Sequence, residues 1–169
     1  MKRVLMLGPP GSGKGTQGER LARALGVDHI SSGELLREAV AAGTPLGREV
    51  EQHLSAGRLA PDEVVSEAVL PALARHDGYV LDGFPRTLTQ TRGVDFDAVV
   101  HLDVPEEELV RRLLARGRAD DVQEVIAERL REYAHDTLPL IDHYRDVLVE
   151  VDGARPEDEV AAELRARLT

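Results

Sequence analysis

Gly8 to Thr16 reads Gly-Pro-Pro-Gly-Ser-Gly-Lys-Gly-Thr, set directly between the apolar run Val4 to Leu7 and a segment with helical patterning. A strand running into such a loop and then a helix is the framework of a phosphate-binding site. Glycines let successive backbone N–H groups turn toward one anion, the following helix presents its positive end at the same point, and Lys14 adds a mobile cation. A polyphosphate meets those demands. The plain alternative is a Gly/Pro turn, but such turns rarely carry Gly-x-x-x-x-Gly-Lys between a strand and a helix. Gly15 stands where the general motif has a Ser or Thr for Mg²⁺, and the hydroxyl comes one position later, on Thr16. A less direct hold on the metal is therefore expected.

Four more β-rich runs follow the first, at Val27 to Ile30, Tyr79 to Leu81, Ala98 to Leu102 and Val147 to Val151, with helical patterns between most of them. Alternation of this kind predicts an α/β fold, a five-stranded parallel sheet flanked by helices. A length of 169 residues suits one well-cored domain. Aromatics make up only 3%, so the core is expected to be built from Leu, Val, Ala and Ile. Leu21 and Leu25 mark the apolar stripe of the first helix, and Leu109, Leu113 and Leu114 that of a later one. Pro105 followed by Glu106, Glu107 and Glu108 reads as the first turn of that later helix. Asp121 to Tyr144 reads as one long helix interrupted at Pro139.

The passage from Ser32 to Arg75 is largely helical, punctuated by Gly43, Pro45, Gly57 and Pro61, and exceeds what a simple crossover needs. It predicts a small helical excursion over residues 31–60, able to move against the sheet, with a longer helical layer as the alternative.

A net charge of -10 argues against a general binder of nucleic acid or anionic membrane, so an anion site must be a local basic pocket. Cysteine is absent, which fits a reducing cytosol. Lys2 and Arg3 precede an apolar run that stops at Gly8, too short for a signal peptide or a membrane span. A cytoplasmic protein is the simplest expectation.

Tyr79-Val80-Leu81-Asp82-Gly83-Phe84-Pro85-Arg86 is a buried-strand pattern ending in an acid, a turn and an arginine. Ligands of parallel sheets bind beyond the carboxyl ends of the strands, which puts Asp82 near the phosphates of the loop. There it is expected to hold Mg²⁺ through the metal's water ligands, with Thr16 as a second candidate. Taken alone, Asp-Gly is also an ordinary turn.

With these residues in place, the chain closely resembles the adenylate kinase family of nucleoside monophosphate kinases. The likeness covers almost the whole chain, through Gly8 to Gln17, Ile30 to Arg37, Gly57-Arg58-Leu59, Asp82 to Gln90, Leu102 to Pro105, Arg116 to Asp121 and Val151-Asp152-Gly153. The resemblance implies a P-loop fold and reversible phosphoryl transfer from Mg-ATP to AMP, giving two ADP. It implies that Gly11, Ser12, Gly13, Lys14, Gly15 and Thr16 wrap the ATP phosphates. Around AMP it implies Ser32, Gly33, Arg37, Arg58, Leu59, Ala60, Gly83, Phe84, Pro85, Arg86 and Gln90. Arg112, Arg116, Arg118 and Arg129 would close over the transferring group, Arg112 and Arg116 on the ATP side and Arg118 and Arg129 toward AMP. Arg155 would lie near the donor adenine. The Gln90 carboxamide offers a donor and an acceptor, matching the amino group and ring nitrogen of adenine.

Between Arg116 and Asp120 stand only Gly117, Arg118 and Ala119, where relatives of this family place a lid. The connection over residues 116–120 is thus a minimal lid, which puts donor affinity and the reach of Arg118 in question and suggests that a second copy of the chain covers ATP. The six histidines lack metal-ligand pairing and read as surface or sheet-end residues. Two competing readings are a kinase for another nucleoside monophosphate, such as UMP or CMP, and a nucleotide sensor with weak catalysis.

Overall fold

The computed structural model describes residues 2–55, 60–117 and 121–169. The chain runs β1 (Arg3–Leu7), α1 (Lys14–Leu25), β2 (Asp28–Ser31), α2 (Ser32–Ala41), α3 (Pro45–Ser55), α4 (Asp62–Leu73), β3 (Tyr79–Asp82) and β4 (Ala98–Asp103). It continues with α5 (Glu106–Arg116), α6 (Gln123–Glu132), α7 (Pro139–His143), β5 (Leu148–Asp152) and α8 (Glu157–Leu168). The strands lie in the order β2-β3-β1-β4-β5, all parallel, which matches the expected sheet. β1 is central, and the chain passes from β3 on one side of it to β4 on the other. That is the switch point at which an open α/β sheet forms its crevice.

Strand alternation builds two cores. Leu5, Leu81 and Val99 face one side with Val69 and Leu73 of α4 and Leu140 of α7, whereas Val4, Met6, Val80 and Val100 face the other with Leu21 of α1 and Leu164 of α8. Leucine and valine dominate both layers, as composition implies. The few aromatics are unevenly shared, since Tyr79, Phe84, Phe96 and Tyr144 all lie in the first. Phe96 there meets the rings of Tyr79 and Tyr144 edge-on at 6.5 and 5.7 Å.

Three expectations need correction. Leu109 and Leu113 are buried, but Leu114 is 49% exposed, so the α5 stripe is narrower than its sequence suggests. The long helix is divided earlier than Pro139: α6 ends at Glu132, Tyr133–Thr137 form a wider π turn, and Pro139 opens α7, where a missing N–H needs no partner. His101 is 6% exposed within β4, with Nε2 3.2 Å from the Tyr133 hydroxyl, so it is an interior residue.

Candidate functional site

Beyond the carboxyl end of β1 the backbone folds into the loop that the glycines forecast. Gly11 and Gly13 have φ of +84° and +90°, a region that favours glycine, and a side chain at Gly11 would also meet Leu113 of α5. Gly13 caps α1, so Lys14 is the first helical residue and the helix N-terminus opens onto the loop. Ser12 and Gln17 are 2% and 3% exposed, yet Ser12 Oγ and Gln17 Oε1 have no hydrogen-bond partner among the described residues. Buried polar atoms are normally satisfied, which marks this corner as one built to receive a polar ligand.

A hollow of about 270 Å³ opens beside the loop, with Gly11, Thr16, Arg112 and Arg155 in its wall. Arg112 Nη2 donates to the Gly153 carbonyl at 2.8 Å, and Nε to Glu108 at 2.9 Å. It thereby braces α5 against the β5–α8 connection. Arg155 pairs with Glu163 of α8, which raises its pKa, so it stands at the outer edge of the same hollow. A larger, shallower hollow of about 440 Å³ lies elsewhere, among Arg20, Arg23, Ala24 and Arg165, away from the glycine loop.

Asp82 ends β3 next to the loop, its Oδ2 the nearest atom, at 4.0 Å, to where a Cβ on Gly15 would sit. The same oxygen is 2.7 Å from His29 Nε2. That contact is the main reason the imidazole pKa is raised; burial opposes it. Lys14 is half-buried at the centre of the group. Burial first, then the Arg86 guanidinium, lower its ammonium pKa to about 8; Asp82 opposes this, while Arg129 and Arg116 add to it. Residues from β3, α5, α6 and the turn after β3 therefore converge electrostatically on the loop lysine. Among the described residues no three His, Asp or Glu side chains form a metal cage. A lone carboxylate beside a phosphate loop, with space over Gly15, is a donor set that fits Mg²⁺ held mainly by phosphate oxygens and water.

On the other flank, Ser32 and Gly83 are in close contact: a side chain at Gly83 would collide with Ser32 Oγ and lie 3.6 Å from Arg86 Nη2. Ser32 is the first residue of α2 rather than its cap, which is Ser31. Arg37, exposed one turn on, lays its guanidinium over Gly33, within 3.1 Å of a Cβ built there. Arg86 Nε donates to the Gly83 carbonyl at 2.9 Å. Desolvation and the like charge of Arg129 lower the Arg86 pKa, although the side chain reaches solvent and the residue is exposed. Phe84 is fully buried in the core and Pro85 is buried behind it across a cis peptide bond. Gln90 is 5% exposed, accepting from Arg86 N–H at 2.8 Å and donating to Asp62 at 2.9 Å, so it is an interior amide. Ala60 is half-buried just before α4; Arg58 and Leu59 lie outside the described residues.

Arg116 closes α5 with a bidentate pair to Asp121, at 2.8 and 2.6 Å, and Arg129 of α6 approaches the same carboxylate at 3.5 Å. The Asp121 side chain has no exposed surface. One buried acid thus clamps two cations beside Lys14. Arg118 lies outside the described residues.

The family model for adenylate kinases matches residues 6–149. Among curated proteins, the adenylate kinase of Mycolicibacterium paratuberculosis is 47% identical over 172 residues, covering 95% of each chain. Those of Mycobacteroides abscessus and Nocardia farcinica are each 45% identical, over 95% and 94% of both chains. The chain belongs to the adenylate kinase family.

Several residues that organise this adenylate kinase site escape sequence reasoning. His29 sits two positions before the end of β2 and meets Asp82 only because β2 pairs with β3. Thr137 Oγ1 donates to the Arg86 carbonyl at 2.8 Å from the π turn, a geometry with no local sequence signal. Asp62 has a helix N-terminal signal that explains it without reference to Gln90.

Proposed function

We propose that this member of the family catalyses reversible transfer of the γ-phosphoryl group of ATP to AMP, giving two ADP, and so balances adenine nucleotides in the cytoplasm. The observation that carries the reading is the gathering of Lys14, Arg86, Arg116 and Arg129 with Asp82 at the helix end of the glycine loop. ATP would lie on the loop, its phosphates against the backbone of Gly11 to Thr16 and between Arg112 and Arg116, and its base toward Arg155. AMP would occupy the opposite flank among Ser32, Gly33, Arg37, Arg58, Leu59, Ala60, Gly83 and Gln90, with Phe84 and Pro85 shaping the wall. Residues 31–60 form the AMP-side excursion in this scheme, and residues 116–120 the residual lid.

In the transfer, an oxygen of the AMP phosphate bonds to the γ-phosphorus, the bond to the β,γ-bridging oxygen breaks, and its electron pair leaves with ADP. The attacking oxygen is already anionic, so no general base is required. Arg86 would aim the acceptor phosphate, and Lys14, Arg112, Arg116, Arg118 and Arg129 would neutralise charge on the migrating group. Mg²⁺, held by Asp82 through water and with Thr16 nearby, would supply charge neutralisation between the terminal phosphates. Among the described residues no helix is long and apolar enough to cross a membrane.

A coupled assay with ATP and AMP tests the activity; comparing AMP, UMP and CMP tests the acceptor, and tight binding of two adenosines joined by a phosphate chain tests the two-pocket arrangement. ATP and AMP binding without ADP formation would overturn it. A second copy of the chain covering the open donor hollow is the oligomer we expect, because only Gly117, Arg118 and Ala119 separate Arg116 from Asp120. A monomer in sedimentation with micromolar or tighter ATP affinity removes the need for it.

A further inference from the structure

The Gln90 carboxamide has two ends that differ only in what they bond, and here both are fixed. Oε1 accepts from the backbone N–H of Arg86 at 2.8 Å, and Nε2 donates to Asp62 Oδ1 at 2.9 Å. A backbone N–H can only donate and a carboxylate can only accept, so the two partners demand the same orientation of the amide. The carboxylate is itself held, because Thr87 Oγ1 donates to Asp62 Oδ2 at 3.1 Å. After these bonds Gln90 keeps one lone pair on Oε1 and one N–H on Nε2, with the two ends no longer interchangeable.

We propose that Asp62 is a selectivity-positioning residue, which makes the site choose adenine by locking the Gln90 amide in one of its two orientations. The inference rests on the reading of Gln90 as the group that meets the acceptor base. Adenine presents an N6 amino donor beside the N1 acceptor. Hypoxanthine, the base of IMP, presents the reverse: an O6 acceptor beside an N1–H donor. An amide free to turn over would satisfy either edge. With Asp62 and Arg86 N–H in place, turning over would set the Gln90 oxygen against a carboxylate and its NH₂ against an N–H. Sites whose buried polar groups are left unpaired by the wrong substrate discriminate by factors of about 10⁴.

Asp62→Asn tests this with little change of shape, since asparagine can offer either oxygen or NH₂ to Gln90. The readout is kcat/KM for AMP divided by kcat/KM for IMP, with kcat and KM resolved separately and a thermal melt on each protein. The expected result is a fall in that ratio of about tenfold or more. It should arise from a higher KM for AMP and a gain with IMP, while kcat at saturating AMP stays within about threefold. Thr87→Val, which frees one carboxylate oxygen, should move the ratio the same way by a smaller factor. A purely structural role for Asp62 at the start of α4 would lower the melting temperature and reduce both acceptors equally. An unchanged ratio in Asp62→Asn, or in Thr87→Val should the first variant not fold, overturns the inference and leaves the kinase reading intact. Wild-type protein that phosphorylates neither AMP nor IMP overturns both.

Discussion

Gly18→Ala sets two known effects against each other inside α1. In an ordinary helix interior, alanine stabilises relative to glycine by about 1 kcal/mol. Here the new Cβ would lie 2.9 Å from His29 Nε2 and 3.1 Å from His29 Cδ2, closer than side-chain carbons settle. The neighbour that must give way is the imidazole that holds Asp82 at 2.7 Å, in a spot where the two side chains keep only 16% and 14% of their surface. A hydrogen bond to a charged group contributes about 1.5–3 kcal/mol, nearer the upper end when the imidazole is charged as well as the carboxylate and nearer the lower end when it is neutral. With His29 protonated, the loss exceeds the helical gain, leaving a net destabilisation of about 1 kcal/mol, or roughly 2–4 °C for a chain of this size. Since the folded-state pKa of His29 is raised above 6.5, its charged contribution is complete below pH 6.5 and disappears as pH rises through the folded value. The deficit should therefore be larger in melts at pH 6 than at pH 9, while an NMR titration shows the His29 pKa falling back toward 6.5. A variant more stable than wild type at pH 6, with an undisturbed imidazole titration, would refute the reasoning.

Replacing Lys14 or Arg86 with alanine should reduce turnover by about 10²–10³-fold in a coupled assay with the circular dichroism unchanged, since each is a preorganised cation aimed at phosphate; near-normal rates would remove that role. Because the Lys14 pKa of about 8 lies below its ordinary 10.5, the unfolded state binds the extra proton between those values. The fold should thus gain stability from this group as pH rises across that window, and ATP binding at pH 8.5 should take up about three quarters of a proton, read by calorimetry in buffers of different ionisation enthalpy; no uptake would show the ammonium already charged. Asp121→Asn removes the acid between Arg116 and Arg129, which keep 32% of their side-chain surface. That partial access to water puts the cost near the low end for a broken buried pair, about 3 kcal/mol, and should lower the melting temperature by about 6–12 °C.

What the sequence discloses and what it hides follow from the range of the interactions. The sheet and the glycine loop depend on local signals, the continuous apolar run of Val4 to Leu7 and the positive-φ demands of Gly11 and Gly13, and they are legible for that reason. Leu114 is misjudged because helical periodicity gives a stripe but not the width that the neighbours cover, and here that side is left open. The π turn is invisible because Tyr133 to Thr137 carry no breaker, and only Thr137 bonding to the Arg86 carbonyl shows what the extra residue accomplishes. His29 and Asp62 escape for a related cause. Each has a satisfactory local explanation, as a strand-end imidazole and a helix N-terminal acid, and only the tertiary pairing gives it a second task.

The electrostatics of the unliganded site suggest why acids sit among so many cations. Four positive groups converge in a protein whose overall charge is -10, and the crowding is felt most by Lys14, which desolvation and three arginines push toward its neutral form. Asp121 takes up part of that field on one side, clamping Arg116 and Arg129, and Asp82 takes up part on the other, next to Lys14. Both carboxylates are themselves anchored, Asp121 by full burial and Asp82 by His29. Such pairs keep the cations ordered before substrate arrives, so less ordering entropy is lost on binding. A polyphosphate entering between them brings more negative charge than either acid and reverses the pressure on Lys14. If that is the design, removing Asp121 should loosen the free protein more than the ATP-bound one, and saturating ATP should recover a measurable part of the melting temperature lost in Asp121→Asn.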